Sequence, residues 1–373
     1  MSASTRNRAG VRIAIVTESF LPQVNGVTNS VLRVCEQMQS RDHEVLVVAP
    51  GPGPTSYAGA RVVRAPSVPL PGYRDFRLGR PWHGLAGTLE GFRPDVVHLA
   101  SPAALGAQAA FTARRLGLPV VAVYQTDLAG FAGRYGLGGS ERAVWNWLRR
   151  VHGAAARTLA PSRHAVDQLR HNGVHRVSRW ARGVDLQRFT PIRRDEALRA
   201  RLAPEGELLV GYVGRLAQEK EVGLLTSLQD APGIRLVVAG DGPRRSALEA
   251  SLPGVPFLGF QGGSELATTF ASLDVFVHTG SSETFCQAAQ EALASGVPVV
   301  APAAGGLLDL VDHGVNGLRF APGSGRSLRA AVTSLADDRP GLAAMASATR
   351  SSVSGRTWDV ITDQLVRHYE EVA

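Results

Sequence analysis

Residues 207–220 read ELLVGYVGRLAQEK, an apolar run that ends in glycine and is followed by two cations. The run Glu207–Val213 has the length and apolar content of a buried parallel strand. Arg215 and Lys220 then fall on the loop and on the start of the helix that we expect after it. Cations beside the N–H groups of a helix start favour a phosphate-binding site. An Arg and a Lys that merely flank a helix explain the segment equally well when it is taken alone.

The same alternation of an apolar strand and a helical pattern continues on both sides of this segment. It predicts an α/β protein of two doubly wound, Rossmann-like parallel sheets in tandem. The ligand is expected in the cleft where the carboxyl ends of the strands face one another. The predicted strands are residues 11–16, Glu44–Ala49, Val96–Leu99, Pro119–Tyr124 and Arg157–Ala160, then Glu207–Val213, Ile234–Ala239, Val255–Leu258, Val275–His278, Val297–Ala301 and Leu318–Phe320.

Turn chemistry interrupts the pattern at residues 182–191, RGVDLQRFTP, and predicts a linker between two domains. We therefore expect an amino-terminal domain over residues 1–190, a carboxyl-terminal domain over 191–350 and a terminal segment over 351–373. That segment carries the apolar stripe of an amphipathic helix, which we expect to pack back on the first domain. Residues 50–81 are dense in Pro and Gly and predict a long irregular excursion.

The bulk composition excludes several classes of protein. The 373 residues are 44% hydrophobic and 19% charged, which is typical of a folded chain with more than one core. Cys35 and Cys286 offer neither a disulfide framework nor a CxxC metal site. No apolar run reaches the roughly 18 residues of a membrane span, and the first ten residues lack the apolar core of a secretory signal. We expect a protein of the reducing cytoplasm.

Charge is divided unevenly along the chain. Residues 1–190 carry 24 Arg against 11 acidic residues, whereas the rest carries 16 basic against 21 acidic. The basic half predicts an anionic partner, such as a membrane surface, an anionic acceptor or nucleic acid, although a solubilising surface explains it equally well. Lys220 is the only lysine among 40 basic residues, which indicates a need for its compact ammonium group.

A second group of polar residues lies in residues 283–291, ETFCQAAQE. Glu283 is placed at a junction between a loop and a helix, and Glu291 follows about two helical turns later. The two carboxylates are therefore too far apart to touch but can line one elongated ligand. Ionised acceptors suit the hydroxyl groups of a sugar and of a ribose. Glu291 alone would be interpreted as a solvated helix residue.

Taken in order, these motifs resemble the family 4 retaining glycosyltransferases, which have the two-domain GT-B fold. The resemblance spans nearly the whole chain and is nearest to the actinobacterial GDP-mannose-dependent α-mannosyltransferases that act on lipid-linked acceptors. The residues that carry it are TESFLPQVNGV at 17–27, GVD at 183–185, GRLAQEK at 214–220, GDGP at 240–243, Glu283 with Glu291, and ASGVPVV at 294–300.

The resemblance implies a role for each matching residue. Arg215 and Lys220 would hold the diphosphate of a nucleotide-sugar donor, Glu283 the sugar hydroxyls, and Glu291 the ribose. Transfer would retain the anomeric configuration and need no metal or other cofactor, with the departing phosphate helping to deprotonate the acceptor. The remaining donor contacts would come from Gly26, which lets the backbone approach the phosphate, and from the backbone of Thr284, Phe285 and Cys286.

Two positions depart from the family pattern. Cys286 stands where many relatives have glycine, so its side chain is expected to crowd the donor or to stiffen the loop. Gln125 stands where many relatives have histidine, and an amide cannot accept a proton. A general-base role would therefore pass to Asp127 or to the donor phosphate, although a helix cap explains Asp127 nearly as well.

An acceptor and membrane face is predicted in the basic first half. We assign to it Tyr73, Arg74, Arg77, Arg80 and, beside the acceptor, Gln125. Arg with aromatic residues suits an anionic bilayer surface, so the protein is expected to lie peripherally on the inner face of the cell membrane. The helix after residue 140 adds Trp145 and Trp147, of which one is expected in the core.

Two other functions remain open at this point. A nucleotide-sugar epimerase shares the architecture, and a module that binds an anionic polymer would explain the basic half but not the acidic pair. Nucleic acid is therefore not expected as a partner. A dinucleotide-dependent oxidoreductase is disfavoured because the first strand-to-helix loop lacks GxGxxG.

Overall fold

The computed structural model describes residues 10–70, 73–127, 130 and 141–373. Its contacts divide the chain into two units. The first combines Met1–Ala181 with Trp358–Ala373, and the second is Arg182–Thr357. The second unit thus begins at Arg182, nine residues before the domain start expected at residue 191, because Val184 and Phe189 already pack in its core.

The first unit is built on an eight-stranded sheet that is parallel except at one edge. Its order is β10-β9-β8-β7-β1-β2-β4-β3, and only the β3–β4 pairing is antiparallel. Residues 13–16 of β1 are fully buried, as expected for a central strand covered on both faces. The strands are β1 (Arg12–Val16), β2 (Glu44–Pro50), β3 (Ser56–Tyr57), β4 (Ala60–Ala65), β7 (Val96–Leu99), β8 (Val120–Val123), β9 (Arg157–Ala160) and β10 (Val177–Arg179).

The long irregular excursion expected over residues 50–81 is not what the structure shows. Instead, these residues contain β3 and β4, and an antiparallel hairpin of β5 (Ser67–Leu70) and β6 (Tyr73–Gly79). β4 pairs in parallel with β2, so its alternating side chains are held by sheet pairing despite the surrounding Pro and Gly residues.

Helices cover this sheet. Asn25 caps the first of them by accepting hydrogen bonds from the N–H groups of Val27 and Thr28, both at 3.0 Å. The described helices are α1 (Gly26–Gln39), α2 (Gly84–Phe92), α3 (Ala104–Arg115), α4 (Glu141–Gly153) and α5 (Arg163–His171).

The second unit is built on a six-stranded, fully parallel sheet of order β13-β12-β11-β14-β15-β16. Its strands are β11 (Leu208–Val213), β12 (Ile234–Ala239), β13 (Phe257–Gly259), β14 (Val275–Val277), β15 (Val299–Pro302) and β16 (Gly317–Phe320). Its helices are α6 (Glu196–Leu202), α7 (Arg245–Ser251), α8 (Gly263–Ser272), α9 (Gln287–Ala294), α10 (Gly325–Asp337) and α11 (Arg339–Val353).

The helix expected directly after β11 does not form. Residues Gln218–Lys220 and Val222–Leu228 are two short 3₁₀ helices separated by Glu221, whose φ of 49° is left-handed. A left-handed residue ends a right-handed helix, so Lys220 is the last residue of a short turn and not the start of a long helix.

The carboxyl-terminal helix α12 (Trp358–Glu370) returns to the first unit, as the sequence predicts. Ile361, Leu365 and Tyr369 are buried in that core. The Trp180 indole N–H donates to the Ile361 carbonyl at 2.8 Å, and the Tyr369 hydroxyl lies 2.7 Å from His98 Nδ1. In the described part of the chain, no helix is both long enough and apolar enough to cross a membrane.

Candidate functional site

The sheet order of the second unit places a crevice between two loops. β11 and β14 are neighbours, with Val210 opposite Val275, but they are connected outward to opposite halves of the sheet. At such a switch point the loops that follow the two strands diverge, and ligands of α/β sheets bind there. The loops are Gly214–Ala217 after β11 and the segment from His278 to Cys286 after β14.

Close backbone packing fixes the loop after β11. A Cβ at Gly240 would lie 1.9 Å from the Gly214 carbonyl oxygen, and one at Gly242 would lie 2.4 Å from that of Leu216. Both glycines have positive φ, of 138° and 155°. Only residues without a side chain fit this contact, and it holds Arg215 at the edge of the sheet.

Lys220 and Glu283 form an ion pair across the two loops. Lys220 Nζ lies 2.5 Å from Glu283 Oε1, and the two side chains are only 27% and 12% exposed. Burial alone would raise the pKa of Glu283, but Lys220 and His278 outweigh burial and lower this pKa to about 2. Burial likewise opposes the charge of Lys220, yet Glu283 raises the pKa of the ammonium. Both groups are therefore charged at neutral pH.

His278 belongs to this site although the sequence predicts no role for it. Its Nε2 lies 3.0 Å from Glu283 Oε1, and its ring is 3% exposed between those of Tyr212 and Phe276. Burial lowers the pKa of His278, but Cys286 and Glu283 together outweigh burial and raise this pKa to about 10. Its position at the carboxyl end of a strand was the available signal.

Hydrogen bonds fasten the loop after β14 to the turn that carries Lys220. Thr279 Oγ1 donates to the Lys220 carbonyl at 2.6 Å, and the Ser281 N–H donates to Glu221 at 3.0 Å. The Gly306 N–H donates to the Glu283 carbonyl at 2.7 Å from the other side. The backbone at both Lys220 and Glu283 is therefore fixed by hydrogen bonds, which constrains the geometry of the ion pair.

Arg215 lies on the same edge but is more open to solvent. Its side chain is 44% exposed, and Nη1 is 3.9 Å from Glu219 Oε1. Burial lowers the pKa of Arg215, and Glu219 counteracts this. A second cation, Arg182, is 7% exposed, and burial lowers its pKa to about 10 while Glu283 counteracts this. From the sequence, Arg182 was expected only as part of the linker.

Cys286 lies in the core and not on the surface of the site. It is 4% exposed and precedes α9 without capping it, and Phe285 beside it is 6% exposed. Burial of the thiol favours the stiff-loop alternative for Cys286 over the crowding of a ligand. Thr284 precedes these two residues, and Glu291 is half-buried on α9. Because no long helix begins at Lys220, the free N–H groups at this edge are those at the N-terminus of α9.

In the first unit, two predicted site residues make local contacts. Gln125 is 8% exposed and its Nε2 donates to the Ala100 carbonyl at 3.1 Å. Asp127 Oδ1 accepts hydrogen bonds from the Tyr124 hydroxyl at 3.2 Å and from the Gly130 N–H at 2.9 Å. The geometry of Asp127 is that of a cap, which was the alternative to a general base. Gly26 is the exposed first residue of α1.

The predicted acceptor face is described only in part. The side chains of Tyr73 and Arg74 lie outside the described residues. Arg77 binds its own hairpin, since Nε donates to Ser67 Oγ at 2.8 Å, whereas Arg80 is exposed. Trp145 is 7% exposed and Trp147 is 40% exposed, so one of the two tryptophans is in the core, as expected.

Comparison with known proteins covers both units. A family model described as Glycosyltransferase Family 4 matches residues 24–188, and one described as Glycosyl transferases group 1 matches residues 193–352. A GDP-mannose-dependent alpha-mannosyltransferase of Mycobacterium tuberculosis is 50% identical over 370 residues, which are 97% of each chain.

Two further relatives are more distant. A GDP-mannose-dependent alpha-(1-6)-phosphatidylinositol dimannoside mannosyltransferase of M. tuberculosis is 28% identical over 81% of this chain and 82% of its own. The crystal structure of Anabaena Alr3699/HepE in complex with UDP and glucose has a TM-score of 0.78 at 20% identity, over 96% of this chain and 99% of that one. The last similarity shows the shared GT-B fold.

Proposed function

The chain belongs to glycosyltransferase family 4, and from that premise we propose that it transfers mannose from GDP-mannose to a lipid-linked acceptor. That it is a retaining glycosyltransferase follows from the family. The comparisons give no support to a nucleotide-sugar epimerase. For the donor site, the proposal rests on one observation, the ion pair of Lys220 and Glu283 at the switch point of the second sheet.

Negative charge develops on the diphosphate as the bond to the sugar breaks. Lys220 is already held in place by Glu283, and Arg215 presents a half-exposed guanidinium at the same edge. Fixed cations stabilise this charge without reorganising during the reaction. The N–H groups at the start of α9 add a partial positive charge.

Glu283 is assigned to the hydroxyl groups of the donor sugar. Because its pKa is lowered to about 2, the carboxylate is ionised throughout the physiological range and acts only as an acceptor. A hydrogen bond from a hydroxyl to a carboxylate is stronger than one to a neutral group. Glu291, eight residues further along, is assigned to the ribose, as the family pattern implies.

We assign the acceptor proton to the donor phosphate. Asp127 is engaged by Tyr124 and Gly130, and the Gln125 amide donates to the backbone, so neither supports a general base. We further propose that transfer requires no metal ion, since Lys220 and Arg215 supply the positive charge that a cation would otherwise bring to the diphosphate.

A peripheral position on the inner face of the membrane is proposed from exposed aromatic and basic side chains of the first unit. The rings of Phe111 on α3 and Trp147 on α4 are 38% and 40% exposed and lie edge to face at 6.5 Å. Aromatic rings with basic neighbours suit an anionic headgroup layer. The exposed arginines on the same two helices are Arg114, Arg115, Arg142, Arg149 and Arg150. The phosphatidylinositol dimannoside in the name of the M. tuberculosis relative that is 28% identical supports this location.

The donor is tested by thermal shift against a panel of nucleotide sugars, because a ligand that binds only the folded state raises its melting temperature. GDP-mannose is expected to give the largest shift, and labelled GDP-mannose is expected to label a lipid fraction. A larger shift with a UDP-sugar, or label only in free mannose, would contradict the proposal.

A further inference from the structure

Three side chains around the loop after β14 bring together atoms that bind transition metals. They are an imidazole nitrogen of His278, a carboxylate oxygen of Glu283 and Sγ of Cys286, and these atoms lie within 4.8 Å of one another. We propose that this trio binds one thiophilic divalent cation, Zn²⁺ or Cd²⁺, and that the bound ion inhibits the enzyme by excluding the donor. Binding is independent of the function proposed above, whereas inhibition rests on it.

The chemistry of the trio matches that of a zinc site. Thiolate, imidazole and carboxylate are the three ligand types of Zn²⁺, with bonds of about 2.0–2.3 Å that put tetrahedral ligands roughly 3.5 Å apart. His278 Nε2 and Glu283 Oε1 are 3.0 Å apart, so the two atoms separate by about half an ångström to admit the ion. The Cys286 thiol and the protonated His278 ring each give one proton to solvent as the metal–sulfur and metal–nitrogen bonds form.

The trio is held in place before any ion arrives. His278 and Cys286 are 3% and 4% exposed. The Glu283 carbonyl accepts the Gly306 N–H at 2.7 Å, and a Cβ at Gly306 would lie 2.4 Å from the Thr284 carbonyl oxygen. Little conformational freedom is therefore lost on binding, which favours the bound state.

Lys220 is the competitor of the ion. Its ammonium lies 2.5 Å from the same Oε1 that faces His278, and a divalent cation in the trio would repel it. Lys220 is also the residue that we assign to the donor diphosphate. Occupation of the trio therefore removes one diphosphate contact, which links metal binding to loss of the donor.

Two features keep the affinity below that of a structural zinc site. The Lys220 charge must be displaced, and His278 Nδ1 has no hydrogen-bond partner within the described residues. Metal-bound histidines ordinarily donate their second N–H, and losing that bond costs about 10–100-fold in affinity. The ion is thus expected to exchange readily, as an inhibitor does.

The site is tested by titrating full-length protein, free of any polyhistidine tag, with Cd²⁺. We expect one ion per chain and an ultraviolet band of cadmium–thiolate charge transfer. Cys286→Ala should abolish the band, whereas Cys35→Ala, which removes the other cysteine from the core of the first unit, should retain it. Lys220→Met should bind Cd²⁺ at least about tenfold more tightly, because the competing charge is gone. A band that survives Cys286→Ala, or no band in the wild type, would overturn the site.

Inhibition is tested separately by equilibrium dialysis at fixed free Cd²⁺. Addition of GDP should weaken binding of the ion about tenfold, and Zn²⁺ should raise the KM for the donor in wild type but not in Cys286→Ala. A bound ion that GDP does not displace would refute the inhibition and leave the site standing. Loss of transfer activity in chelator would instead count against the proposed metal-free function.

Discussion

Glu283→Gln is the substitution that most directly tests the donor site. It keeps the shape of the side chain and removes one negative charge, so Lys220 is left as a largely buried cation without its counterion. Folding lowers the pKa of Glu283 from 4.5 to about 2, which at about 1.4 kcal/mol per pH unit gives an upper bound of roughly 3 kcal/mol. Because the Glu283 side chain is still 12% exposed, solvent screens part of this interaction, and the expected loss in the free energy of unfolding at pH 7 is about 2–3 kcal/mol.

The pH dependence of this loss has a definite sign. A carboxylate whose pKa is lowered by folding stabilises the protein fully above the unfolded value of 4.5, and the contribution disappears as the pH falls through about 2. The difference in the free energy of unfolding between wild type and Glu283→Gln is therefore expected to have its full value at pH 7 and to shrink below pH 4.5. Turnover should fall about 100–1,000-fold, because the variant loses a charged contact to the reacting sugar.

Denaturant unfolding at several pH values and steady-state transfer kinetics measure the two effects. Glu249→Gln is the matched control, since Glu249 forms an ion pair with Arg245 at 2.8 Å in the same unit but is 41% exposed. An exposed pair contributes less than about 1 kcal/mol. Unchanged stability together with turnover within threefold of wild type would refute the role given to Glu283.

Three further outcomes are expected. Lys220→Arg should lower kcat about 100-fold or more, because a longer, planar guanidinium cannot reproduce the contact of Nζ with Glu283 Oε1 at 2.5 Å, and a variant with wild-type kcat would remove Lys220 from the donor site. Replacing Phe111 and Trp147 together by Ala should reduce sedimentation with anionic liposomes severalfold without changing donor binding, whereas undiminished sedimentation would place the membrane face elsewhere. Adding a chelator should leave transfer to the lipid acceptor unchanged, and activity that is lost and then restored by Mg²⁺ would show that a metal is needed.

Much of the fold follows from periodicity alone. Apolar runs of four to seven residues predicted the central parallel strands, because a strand buried on both faces has no polar positions to obscure it. The returning helix was predicted from its stripe of Ile361, Leu365 and Tyr369. The strands within residues 50–81 were missed, because sheet pairing with β2 overrides the local signal of Pro and Gly.

Only part of the candidate site could be predicted from the sequence. Lys220 and Glu283 could be named, since their order within a longer series of motifs is specific, but their contact at 2.5 Å joins residues that are 63 positions apart in the chain. His278 was missed because a single buried histidine at the end of a strand gives no pattern of its own. The prediction of a helix after β11 was wrong, because nothing in the sequence marks Glu221 as a left-handed residue.

The path of the chain makes the second unit an insertion within the first. It leaves the first unit after Ala181 and returns to it at Trp358, and the two crossing points are adjacent in space. Val184 pairs with Thr357, and the Val184 N–H donates to the Arg356 carbonyl at 2.8 Å. The second unit is therefore one continuous segment, residues 182–357, whose ends are already joined by the sheet-like bridge. The first unit cannot be obtained by truncation and requires a short peptide that links residue 181 directly to residue 358.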